Sequence, residues 1–118
     1  MTLFELVAAD PDCTALLGSN PTKFFEFGTA PALEQPPYAT WQIVSGDPFN
    51  FLAGAPTNDM IEAQIDVWAP TAPTARATAR AIRRALDPFI QISHYVSGFD
   101  PESSLYRVVI RCDYMTEV

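Results

Sequence analysis

The sequence predicts an α+β fold, in which a mostly antiparallel β-sheet carries two helical segments packed on one face. Size and composition give the first reason: 118 residues, 48% hydrophobic and 18% charged, suit one globular domain spanning residues 1–118. The stretch 58–86 gives the second, because it changes from the two-residue period of a strand to the period of about 3.6 residues of a helix. The third is the succession of short alternating segments joined by turns, which favours antiparallel neighbours.

The helical segments are predicted from apolar spacing and from the residues at their ends. Residues 2–17 are predicted to form two short helices rather than one, because Asp10 can cap a second piece that has Pro11 at its first position. Gly18 ends that piece. The later helix follows Thr71 as N-cap and ends before Pro88. Its predicted inner stripe consists of Ala75, Ala79, Ile82 and Leu86.

Five strands are predicted from alternation and from flanking turn residues. They span residues 24–27, 38–44, 60–68, 89–96 and 104–115. In the fourth strand, one face is predicted to carry Ile90, Ile92, His94 and Val96, and the other Phe89, Gln91, Ser93 and Tyr95. Residues 98–103 are predicted to form the turn before the last strand.

The net charge argues against a nucleic-acid-binding protein, and the lack of a long apolar run argues against a membrane protein. Seven basic residues against fourteen acidic ones give a net charge of −7, which repels phosphates. No apolar run approaches the roughly 20 residues that span a bilayer, and the start of the chain lacks the basic residue of a secretory signal. We therefore expect a soluble protein that folds in a reducing cytoplasm.

Four of the seven basic residues share the long helix: Arg76, Arg80, Arg83 and Arg84. Three interpretations are open: a nucleic-acid patch, a solvated flank, or an intersubunit contact. The third is favoured, because the remaining surface is acidic and arginine suits interfaces. The candidate acidic neighbours are Glu62, Asp66, Asp100 and Glu102.

Apolar side chains also lie on a segment predicted to be a hairpin tip, residues 45–58. Phe49, Phe51 and Leu52 stand there between two turn signals. They either fold back onto their own domain or mark a contact with a partner.

No catalytic, metal or cofactor motif is found in the sequence. Glu62 and Asp66 share a strand face but stand about 13 Å apart along it, too far for a paired acid and base. His94 beside Ser93 has no nucleophile elbow around it. Cys13 and Cys112 lack the spacing of a zinc or redox site and are predicted to be buried hydrophobes. The sequence therefore predicts no enzyme, no cofactor and no metal.

Several segments resemble the small tail completion, or tail terminator, proteins of long-tailed bacteriophages. They are FELVAADPDCTALLG at 4–18, PPYATWQIVSGDP at 36–48, AQIDVWAPTAPTARATARAIRRALD at 63–87, and the closing strand at 106–114. The resemblance is one of pattern and order and spans nearly the whole chain.

The resemblance implies a structural virion protein rather than an enzyme. It implies a homo-oligomeric, sixfold ring on the head-proximal end of the tail tube, assembled in the host bacterial cytoplasm. Such a ring ends tube growth, contacts the tail tube protein and the head-tail connector, and lets DNA pass through its lumen without binding it. The alternatives are another neck or tail-tube structural protein, or a non-viral α/β small-molecule-binding or enzyme module that uses His94 and nearby carboxylates.

Overall fold

The computed structural model of the protein describes residues 3–19, 21–28, 30, 35–45 and 58–117. Three helices and five strands lie in this part of the chain. In chain order they are α1 (Leu3–Ala8), α2 (Pro11–Leu17), β1 (Phe24–Glu26), β2 (Tyr38–Ser45), β3 (Asn58–Ala69), α3 (Ala72–Leu86), β4 (Ile90–Asp100) and β5 (Leu105–Glu117).

The five strands form one sheet in the order β1-β2-β3-β5-β4. The short β1 runs parallel to β2, and the other three pairs are antiparallel. The central strand pair is β3 and β5, in register from Asn58 with Glu117 to Ala69 with Tyr106. The predicted α+β class with a mostly antiparallel sheet is confirmed.

The hydrophobic core lies between this sheet and the helices. Helix α3 packs against β3 and β5, and it also contacts α1 and α2. The predicted inner stripe of α3 is buried as expected. It is joined in the core by the inward residues of the two central strands, which are Ala63, Ile65, Val67, Val108, Ile110 and Cys112.

Local signals place the helix ends where the sequence predicts them. The Asp10 carboxylate accepts a hydrogen bond from the backbone N–H of Asp12 at 2.9 Å, which caps α2. Gly18 follows α2 with φ of 83°, a conformation that L side chains rarely adopt. Thr71 caps α3 through its hydroxyl, which accepts from the Thr74 N–H at 3.3 Å.

Strand β4 contains a bulge that was not predicted from the sequence. Its register with β5 shifts between Ile92 and His94, which marks a bulge. The alternation therefore reverses beyond the bulge: Val96 pairs with Val109 and lies on the face opposite the core, while Tyr95 shares the core-side face with Ile92. The predicted faces of Val96 and Tyr95 were wrong, because a strict two-residue period does not reveal a bulge. The side chain of His94, also assigned a face by the prediction, lies outside the described part of the structure.

The predicted turn at 98–103 also begins too early. Strand β4 continues through Gly98 to Asp100. The turn occupies residues 101–104, and the Asp100 carboxylate stabilises it by accepting from the Ser103 N–H at 3.3 Å and from its hydroxyl at 2.6 Å.

Candidate functional site

The arginines of α3 form an exposed row beside the buried stripe of the helix. All four side chains are exposed. Two of them approach β4: the Arg83 guanidinium lies 5.8 Å from the centre of the Tyr95 ring, and Arg76 lines a shallow hollow together with Phe99. Arg84 is turned about 100° further around the helix from Arg83. The row is therefore available for intermolecular contacts along one side of α3.

Next to this row, β4 presents an exposed apolar strand at the edge of the sheet. Residues 95–99 are all exposed, and three of them are large hydrophobics. Val96 is 55% exposed and Phe99 53% exposed. Helix α3 contacts β3 and β5 extensively and leaves this part of β4 open. An exposed apolar strip of this kind is a candidate contact surface. The sequence analysis missed it because the predicted strand stopped at Val96.

The face of the sheet opposite the helices carries a polar network. Asp66 is only 6% exposed and its carboxylate accepts from the Arg107 guanidinium at 3.0 Å and from the Gln64 amide at 3.0 Å. Arg111 donates to the Gln64 side-chain oxygen at 3.2 Å, and the Arg107 guanidinium lies 5.0 Å from the centre of the Trp68 ring. This network joins β3 to β5, and the Asp66 carboxylate is paired with Arg107 of its own chain.

The other predicted interface residues lie in different places. Glu62 is half-buried on the same sheet face as Asp66. Asp100 and Glu102 lie at the turn after β4, where hydrogen bonding by Ser103 holds the pKa of the Asp100 carboxyl below its usual value. Phe49, Phe51 and Leu52 fall outside the described residues. The structure thus brings the arginines together and separates them from Asp66.

A second exposed surface, also missed from sequence, lies at the other end of the sheet. Helix α1 packs against β1, the opposite edge strand. Phe4 on α1 is 40% exposed, and Phe27 directly after β1 is 62% exposed. Glu5 and Glu26 are exposed beside them. The acidic residues near the start of the sequence were a signal for this surface. The sheet order that makes β1 an edge strand could not be read from the sequence.

The cysteines have the inert character that the sequence predicts. Cys13 and Cys112 are both free and buried. Burial, helped by the nearby Asp10 and Asp12 charges, raises the pKa of the Cys13 thiol to about 12. Burial likewise raises the pKa of the Cys112 thiol to about 11. Both thiols are therefore protonated and unreactive at neutral pH.

Two further searches covered only the described ranges of the chain. No group of three or more His, Cys, Asp or Glu side chains there is arranged to hold a metal ion. None of the helices in those ranges has the length and apolar character needed to cross a bilayer. His94 pairs with Arg111 through the strand register, between β4 and β5.

The sequence as a whole matches a known protein family. A family model described as "Tail completion protein gp17" matches residues 1–117. The chain belongs to this family. The resemblance found in the sequence is thus confirmed, and the family places this tail completion chain among the structural proteins of phage tails.

A solved structure supports the fold of this tail completion family member. One chain of the structure titled "Virion of native gene transfer agent (GTA) particle" matches it with a TM-score of 0.74 and 15% sequence identity. The match covers 98% of this chain and 92% of that chain. A comparison with curated proteins finds no match. At this identity the structural likeness concerns the fold alone.

Proposed function

We propose that this chain forms a sixfold ring at the head-proximal end of the phage tail tube. The ring ends tube polymerisation and presents a joining surface to the head-tail connector, and it assembles in the host bacterial cytoplasm before becoming part of the virion. The observation that carries the proposal is the family match across residues 1–117, which describes tail completion. The work is binding between proteins, with no cofactor, metal or membrane.

The separation of charge on the surface supports self-association. Four arginines lie along one side of α3, whereas the chain as a whole carries a net charge of −7. A contact between an arginine-bearing side and an acidic side joins two different surfaces of neighbouring copies. Contacts of this heterologous kind close into rings when the rotation between copies closes.

The excess of acidic residues also suits a channel through which DNA passes. A basic lumen would hold phosphates by releasing counterions, and an acidic one would not. We therefore expect DNA to pass through the ring without being bound. The three apolar residues Phe49, Phe51 and Leu52 are proposed to contact the tail tube protein or a neighbouring copy.

Polymerisation of the matching tail tube protein in the presence of this chain tests the proposed cap. Added before elongation, the chain should shorten the tubes, and electron microscopy should show one ring at one end of each tube. Added after elongation has finished, it should decorate one end and leave the length unchanged. This order-of-addition control separates capping from disassembly.

Two results would contradict the proposal. Incorporation of the chain along the whole length of the tube would make it a tube subunit. Unchanged tube lengths, together with a monomeric chain in light scattering at every concentration tested, would remove both the ring and the cap.

A further inference from the structure

Among the described residues, strand β4 is an edge strand without the usual protection of an edge. From Ile90 to Phe99 it contains no Asp, Glu, Lys or Arg. Its pairing partner in the described part of the sheet is β5, on one side only. Backbone N–H and C=O groups on the other side are a template for a further strand, and soluble proteins normally cover such edges or place charges on them. The bulge at Ile92 protects one end of β4, but residues 95–99 remain exposed.

The chemistry around this edge specifies what covers it. Arg76 and Arg83 stand beside the exposed rings of Phe99 and Tyr95. Residues 72–99 carry four arginines against one carboxylate, Asp87. We call residues 95–99 with these two arginines the basic edge. Its complement is a surface that combines carboxylates with exposed aromatic side chains.

The opposite end of the same sheet combines carboxylates with exposed aromatic side chains. There, α1 and β1 expose Phe4, Glu5, Glu26 and Phe27, which we call the acidic edge. Residues 3–28 carry four carboxylates against one lysine, Lys23. The two edges lie at opposite ends of the strand order, so the described part of one chain presents them on two separate surfaces.

We propose that the basic edge of one copy receives the acidic edge of a second copy, extending the sheet across the boundary between them. A two-fold contact of β4 with β4 is disfavoured, because it would bring the arginine-bearing helices of both copies to the same boundary. The head-to-tail contact leaves a basic edge free at one end of an open chain of copies and an acidic edge free at the other, so copies can add until the two ends meet and the ring closes. This inference rests on the proposed ring and identifies the surfaces that build it.

Two single substitutions block one edge each. Val96→Glu places a carboxylate on the exposed strand of the basic edge, on the sheet face opposite the arginines, where a strand added by the partner would partly bury the charge. Phe27→Lys replaces the most exposed aromatic residue of the acidic edge by a cation that faces the partner's arginines. Ala77 is exposed on α3, and Ala77→Glu and Ala77→Lys add the same charges away from both edges, as matched controls.

Sizing with light scattering gives the first readout. Wild type and both Ala77 variants should form the same closed particle. Each edge variant should self-associate at least about tenfold more weakly and elute as a monomer. Circular dichroism should show wild-type secondary structure in all of them, because both substituted side chains are more than half exposed.

The mixture of the two edge variants gives the decisive readout. Each variant keeps one intact edge, and only one intact pair can form between them. An equimolar mixture should therefore regain an association that neither variant shows alone, beginning with a 1:1 dimer of twice the monomer mass, and the opposite new charges on the two altered edges allow this dimer to extend further. A two-fold contact would give no such dimer.

Hydrogen exchange of the wild type needs no variant. Amides of residues 95–99 should exchange more slowly in the assembled form than in dilute monomer, while those at the exposed face of α3 should not change. Three results would overturn the inference about the two edges without contradicting the proposed ring. They are full assembly of folded Val96→Glu, unprotected amides at 95–99 in the assembled wild type, and a mixture of the two edge variants that gives no dimer. A wild type that stays monomeric at all concentrations, also with tube protein present, would instead overturn the ring.

Discussion

At the scale of single residues, Asp66 shows what alternation in a strand does and does not specify. The sequence places it correctly on the face opposite the core, together with Gln64. Its partner Arg107 lies 41 residues away and meets it only because β5 pairs with β3. A carboxylate predicted to be free for a neighbouring copy is therefore used within its own chain.

Removing this carboxylate should destabilise the monomer. In Asp66→Ala, Arg107 loses its ion pair, and its Nε is already buried without a hydrogen-bond partner among the described residues. We expect the free energy of unfolding to fall by about 1–2 kcal/mol, since the Arg107 side chain remains partly solvated and is 38% exposed. Urea denaturation followed by circular dichroism measures the loss.

The exposed turn residue Glu102 provides the comparison for Asp66. Glu102→Ala removes an equal charge, and its effect on the free energy of unfolding should stay within about 0.5 kcal/mol. An Asp66→Ala variant as stable as Glu102→Ala would show that the network contributes nothing to stability.

The buried thiols make a prediction about alkaline pH. Burial on folding raises the pKa of Cys13 from its ordinary value of 9.0 to about 12. The native state then holds a proton that the unfolded chain loses above pH 9, so this contribution to stability is complete below that pH and is lost as pH rises towards 12. Stability should decline over this range. The pKa of the Cys112 thiol is raised in the same way, to about 11. Cys112→Ala removes this thiol and leaves only a small cavity, so the variant should show a shallower decline, measured by urea denaturation at each pH.

A thiol reagent gives an independent check on the same cysteines. In native protein at pH 8, Cys13 and Cys112 should both fail to react, and both should react at once in denaturant. Rapid labelling of the native protein would mean that one of the thiols is accessible and that the alkaline decline has another origin.

At the scale of elements, the sequence predicted best what local chemistry decides. The transition from β3 to α3 combines a two-residue period, the Thr71 cap and an apolar stripe, all within one continuous stretch. The break between α1 and α2 follows in the same way from Asp10 and Pro11. Strand β4 was predicted less well, because its bulge and its extension to Asp100 depend on pairing with β5.

The arginine row of α3 is the element whose role can be tested most directly. Reversing charge in the double variant Arg80→Glu/Arg83→Glu should weaken self-association by about tenfold or more, because each substitution replaces attraction to an acidic neighbour by repulsion. The monomer should remain folded, since both side chains are exposed and the contact of Arg83 with Tyr95 is worth about 0.5–1 kcal/mol at an exposed site. Analytical ultracentrifugation measures the association.

Ala77→Glu adds one negative charge beside Arg80 without removing an arginine, so it should weaken association much less than the double variant does. If the double variant associates as strongly as wild type, the arginine row is exposed to solvent and is not part of an interface.

At the scale of the whole molecule, the proposed contact between copies depends on how the topology distributes charge and apolar surface. The arginines were found from sequence because they share one helix. The acidic edge and the exposed strand were not found, because only the order β1-β2-β3-β5-β4 places β1 and β4 at opposite ends of the sheet. An element's position at an edge is a property of the complete fold, and local periodicity does not contain it.

The dependence of assembly on salt should separate the two contributions to the proposed contact. Exposed charges interact over about 10 Å at 0.1 M salt but only about 3 Å at 1 M. Sodium chloride in this range should therefore weaken the association of wild type, by about tenfold if the arginine row supplies about 1.4 kcal/mol. The apolar part of the contact, from residues such as Val96 and Phe27, is not screened in this way.

The Arg80→Glu/Arg83→Glu variant makes the salt series decisive. Its like charges face each other, so screening relieves repulsion and its weak association should strengthen as salt rises. Opposite slopes for wild type and the double variant, measured by ultracentrifugation over the same series, are the expected outcome. Parallel slopes would mean that the arginine row does not face a carboxylate surface, and an apolar contact would then have to hold the copies together by itself.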